Sequence, residues 1–92
     1  MATDSLEVET LKGHVVENAL DWYKSQCEEL QVNRLADDVY RNPDATLEQR
    51  YEAATMSKQA ALYRAENESK MVQTLGRLSS VLDKESKRSS NG

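Results

Sequence analysis

Residues 42–49 read Asn-Pro-Asp-Ala-Thr-Leu-Glu-Gln, and this stretch divides the chain. Pro43 disfavours helical geometry at Asn42, and Asn, Pro and Asp each suit a turn. Thr46 and Gln49 then make a capping box, each side chain serving the other residue's backbone N–H. Asp44 and Glu48 place negative charge where the dipole of a starting helix is positive. One helical arm therefore ends at this turn and another begins from it. The fold expected is all-α: an antiparallel helical hairpin, or a small three-helix arrangement, with a long C-terminal helix.

Upstream of the turn, Asp4 followed by Glu7 fits a first helix cap. Gly13, Val16, Leu20, Tyr23, Cys27 and Leu30 recur at spacings of 3 and 4, so they share one side of a helix. A second group, Val8, Leu11, Val15 and Trp22, lies further round, and the two groups together span an arc of roughly 200°. One neighbouring helix needs less than that. Val32, Leu35, Ala36 and Val39 then centre roughly 140° from the first stripe if the helix stays straight. A break around Gln31–Arg34, with Asn33 as a new cap, returns them to the core.

Downstream, Leu47, Tyr51, Ala54, Lys58, Ala61, Ala65, Glu68, Val72, Leu75, Ser79 and Leu82 alternate by 4 and 3, a seam for a facing helix. Arg77, Lys84, Lys87 and Arg88 suit the end of that helix, where cations complement the dipole. The expected organisation is one helical domain, 1–84, with helices at about 4–31, 33–41 and 46–84, and a flexible Ser- and Lys-rich tail, 85–92.

Composition narrows the function. The chain has 92 residues, 38% of them hydrophobic and 30% charged, with no Phe and one Trp. That suits a small soluble helical domain which needs partners to complete its burial. No apolar run approaches the roughly 18–20 residues of a bilayer span, and no signal peptide is visible, so no membrane role is expected. A cytoplasmic protein is expected, export without a cleaved signal remaining open. Charge is uneven: residues 1–45 hold ten acids and four bases (net −6), and residues 46–92 hold six acids and eight bases (net +2). The two arms can attract each other within one chain or between chains.

Chemistry is scarce. His14 and Cys27 are the single His and Cys, and on one helix thirteen residues separate them by about 20 Å. That excludes a nucleophile–base pair within one chain. Zinc chemistry wants CxxC or paired histidines, a di-iron bundle site wants ExxH pairs, and phosphate loops want clustered glycines. None of these patterns occurs in the sequence. No enzyme, metal or cofactor is therefore expected, and with a pI of about 5.0 neither is direct nucleic-acid binding.

The function expected is a small protein-binding module (adaptor, regulator or inhibitor) acting through an apolar helix face and self-associating. Trp22, with Leu11 and Val15, is read as a partner-facing patch, because aromatic residues bury much area with few torsions. Tyr23 beside it, and Tyr63 on the long helix, complete the candidate partner-binding residues.

Two other readings stand beside this one. Asn42-Pro43, Tyr51, Leu62-Tyr63-Arg64 and the Ser/Lys/Val-rich helix after them resemble the hairpin of type III secretion needle subunits over roughly residues 42–83. The acidic first helix with its cysteine departs from that family. The resemblance implies a polymerising structural subunit, of a secretion or virion assembly. Alternatively Asp21, Glu28, Glu29, Asp37 and Asp38 make an acidic arm that imitates nucleic acid and inhibits a nucleic-acid enzyme.

Overall fold

The computed structural model describes residues 2–91, with side chains for residues 6–87. Two helices account for almost all of it: α1, Ala2–Arg41, and α2, Leu47–Asn91. No strand occurs among the described residues. The helices pack along their length as an antiparallel hairpin. The Asn18 amide of α1 donates to the Thr74 hydroxyl of α2 at 2.7 Å, and Arg64 of α2 reaches Glu29 of α1. As numbering rises along one helix it falls along the other.

The connection behaves as its residues dictate. The Ala45 N–H donates to the Asn42 carbonyl at 3.2 Å, and the Asp44 N–H donates to the Asn42 side chain at 3.0 Å. The Thr46 N–H donates to Gln49 Oε1 at 3.0 Å while the Gln49 N–H donates to Thr46 Oγ1 at 3.1 Å. Both halves of the capping box are made, so two of the orphan donors at this end find partners. Arg50 also reaches back to the Asn42 carbonyl at 3.2 Å, tying the first turn of α2 to the loop.

Three expectations are corrected. α1 is unbroken from Ala2 to Arg41, so there is no break at Gln31–Arg34 and no separate helix over 33–41. That stretch holds neither Pro nor Gly, and nothing forces the helix to stop. α2 runs on to Asn91, past the boundary expected at 84. Asp4 lies inside α1, which begins at Ala2, and its side chain falls outside those described.

An unbroken α1 also decides which side of it faces inward. Over 40 residues a single row must keep phase, and the row that does so is Val8, Leu11, Val15, Asn18, Trp22, Ser25, Glu29, Val32, Ala36 and Val39. Its spacing alternates 3 and 4 throughout, and each member is buried or half-buried. The matching row on α2 is Arg50, Ala53, Ser57, Ala60, Arg64, Asn67, Met71, Thr74, Leu78 and Val81. The second apolar group of α1 and the residues after Gln31 thus belong to one seam. The stripe from Gly13 to Leu30, expected inside, faces out. So does the stripe from Leu47 to Leu82 on α2, where Leu47 is 86% exposed and Tyr51 73%.

The resulting molecule is thin. Its Cα atoms span 71 × 16 × 14 Å with a radius of gyration of 20.5 Å, against about 12 Å for a compact chain of this length. Its accessible surface is 7214 Å², whereas a compact monomer of its mass exposes about 5,400 Å². Buried hydrophobic residues number three among those described: Val8, Ala36 and Ala53.

Gly76 sits in mid-α2 with open space where a Cβ would stand and an ordinary helical backbone. Gly76→Ala is therefore expected to stabilise the chain by about 0.5–1 kcal/mol. The check is a raised denaturant midpoint at unchanged helicity.

Candidate interaction surface

The two inner rows set a frame for every other position. Labelling each as the a and d positions of a heptad, the e positions of antiparallel helices lie on one broad side of the pair and the g positions on the other. A cleft near the turn fixes which is which. Leu35 of α1 and Met56 of α2, both g positions, line it together with Val39 and Ala53. Its volume of about 260 Å³ falls below the 300–1,000 Å³ or so of ordinary small-ligand pockets.

The opposite broad side is built from the e and b positions. On α1 it carries Val16, Tyr23, Leu30 and Tyr40, and on α2 Leu47, Tyr51, Val72, Leu75 and Leu82, all exposed. Between them lie the small residues Ala19, Ala54, Ala61 and Ala65. Leu6 and Leu20 project from the outer edge of α1 and Leu62 from that of α2, again exposed. Met56 and Tyr63 are exposed on the cleft side. The side built from e and b positions is the one where large apolar groups follow each other along most of the length.

Charges on that side are few and largely matched. Lys12 pairs with Glu9 at 3.5 Å and Glu68 with Arg64 at 2.8 Å. Asp37 on α1 and Lys58 on α2, opposite in sign, are left.

The inner seam mixes apolar and polar residues. Ser25, Asn67 and Thr74 are buried in it. Ser25 donates to the Trp22 carbonyl at 2.8 Å, and Thr74 donates to the Lys70 carbonyl at 2.9 Å while accepting from Asn18. Arg64 bridges Glu29 and Glu68. Among the described residues, buried Trp22 Nε1 and Asn67 Nδ2 have no hydrogen-bond partner. Small residues let the backbones approach, which suits close packing, but they bury little apolar area per turn.

The candidate residues read from sequence are not brought together. Leu11, Val15 and Trp22 are half-buried on the row that faces α2. Tyr23 is 60% exposed and Tyr63 53% exposed, and they lie on opposite broad sides. Trp22 lies half-buried on the row that faces α2, and Tyr23 faces outward. Val16, Leu30, Val72 and Leu75, on the stripes expected to form the helix–helix seam, lie on the surface instead. The signal that locates them is phase. Only the Val8–Val39 row runs in step through the whole of α1, so the other stripe had to face out.

His14 is exposed and Cys27 is half-buried on α1. Among the described residues no three His, Cys, Asp or Glu side chains gather as a metal site requires. No helix among the described residues is long and apolar enough to cross a membrane. Compared with known protein families, characterised proteins and solved structures, the chain matches none.

A buried amide without a hydrogen bond costs about 1–3 kcal/mol, and Asn is a poorer helix former than Ala. Asn67→Ala is accordingly expected to raise the thermal midpoint by several degrees at fixed protein concentration, as read by circular dichroism. A lowered midpoint would show that the amide is held by a partner inside the seam.

Proposed function

We propose that this chain is a protein-binding module, an adaptor, regulator or inhibitor, that acts through the apolar side of its hairpin and associates with itself. The observation that supports the reading is the apolar side left outside the seam. The seam between the helices is narrow and carries polar residues in its middle, while a stripe of Val, Leu and Tyr is turned to solvent. Exposed apolar patches on monomers rarely exceed a few hundred Å², and larger ones mark interaction sites.

A second reading, a polymerising structural subunit, is favoured by a separate observation. Leu35, Met56, Leu62 and Tyr63 are exposed away from the main stripe, so each copy has material for a second contact. The inhibitor that imitates nucleic acid draws only on the acidic arm, and nothing in the geometry adds to it.

The test compares the wild-type chain with Tyr23→Asp/Leu75→Asp, two changes on the apolar side that leave the seam untouched. Wild type should assemble with itself or retain a specific protein in quantitative affinity capture. The double variant should keep its helicity and lose that binding by at least tenfold. A wild-type chain that stays single and retains nothing beyond background would overturn the reading.

A further inference from the structure

Resting on the reading just given, we infer that the occupant of the apolar side is a second copy of this chain, related by a two-fold axis along the hairpin, so that both turns lie at the same end and α1 of each copy packs on α2 of the other. The product is a four-helix bundle.

Area comes first. The broad side measures 71 × 16 Å between Cα extremes, or about 1,100 Å², and a stable interface takes about 800 Å² from each partner. One hairpin laid along another meets that requirement, and little else of this width and length would cover the stripe in one piece.

Register comes second. The exposed stripes of α1 and α2 have the same alternation of 3 and 4, so they can interlock as an antiparallel pair between copies. Setting Leu30 against Ala61 of the second copy also sets Val16 against Leu75 and Tyr40 against Tyr51. This pairing lies within two residues of the axial levels fixed inside the hairpin by Asn18–Thr74 and Glu29–Arg64. An axis along the hairpin keeps each residue's level, so it delivers the match without sliding one copy past the other. Leu30 then packs on Ala61, large into small, while Val16 on Leu75 and Tyr40 on Tyr51 pair large apolar groups.

Charge chooses between the two ways of stacking hairpins. α1 holds nine acids and four bases (net −5) and α2 six acids and eight bases (net +2). With turns at the same end, each acidic helix lies on a basic one. With turns at opposite ends, α1 would lie on α1 and the like charges would repel. The two charges on this side without a partner follow the same logic. Lys58 of one copy comes within a helical turn of Asp37 of the other only in the first arrangement.

The experiment combines mass and cross-linking. In sedimentation equilibrium at tens of micromolar, wild type should weigh twice 10.4 kDa. Leu30→Asp should weigh one chain at unchanged helicity, and Tyr63→Asp, on the opposite side, should remain a dimer. In a Cys27→Ser background, Gln26→Cys with Ala65→Cys should close under mild oxidation into a covalent dimer. Its linkage should join position 26 of one chain to position 65 of the other, by peptide mass spectrometry. Linkage of 26 to 26 would place α1 on α1 and overturn the arrangement. Filaments, or a mass above two chains, would overturn it in favour of a polymer. A single chain at every concentration that still retains another protein, and loses it with Tyr23→Asp/Leu75→Asp, would overturn the inference while leaving the proposed function standing. A single chain that retains nothing would remove both.

Discussion

Two helices touch along one line, and that constraint governs everything else in this protein. Each cylinder offers its neighbour a strip about two side chains wide, and the chain has no third element to cover what remains. Which row occupies the strip is therefore the decision on which the fold turns. α1 settles it by continuity, because only one row stays in phase from Val8 to Val39. The row that wins is not wholly apolar. It contains Asn18, Ser25 and Glu29, and it meets a row containing Arg64, Asn67 and Thr74. The seam is held by close backbone approach and by specific hydrogen bonds, with little apolar burial to spare.

Much of the fold was legible because it is written locally. The turn at Asn42–Thr46 rests on the fixed geometry of Pro43, the Asx-type bond of Asn42 and the reciprocal bonds of Thr46 and Gln49, all settled within eight residues. Helix type follows from spacing, also a local property. The rotation of each helix about its own axis is not local. It depends on how the two rows fit over the full length of the pair, and two stripes per helix compete for the inner position. The apolar stripe looked like the core because apolar groups usually are inside. Here that stripe is exposed in the single chain.

The same non-locality explains the fate of the candidate site. Trp22 and Tyr23 are adjacent, so their side chains diverge by about 100°, and the assignment of one to the seam sends the other outward. With the Val8–Val39 row inside, Leu11 and Val15 face α2 together with Trp22, while Val16 and Leu30 face out together with Tyr23. Tyr63 has no such link to α1, and its position on the cleft side was beyond reach of spacing alone.

A mixed seam and an exposed apolar side also imply an order of energies. Fixing a helical residue costs about 1–2 kcal/mol of backbone entropy, and a hairpin with three buried apolar residues among those described recovers little of that through burial. Local terms help: the capping box, the Ala-rich middle of α2 and the Arg64 bridge each favour helix without needing a core. They bring the hairpin within reach of stability rather than far past it. On the proposed reading the larger gain comes from covering Val16, Leu30, Val72, Leu75 and their neighbours, which are exposed in the single chain. Variants on the outer stripe then act on assembly, whereas variants in the seam act on the hairpin first. That ordering is what allows the two surfaces to be told apart in one molecule.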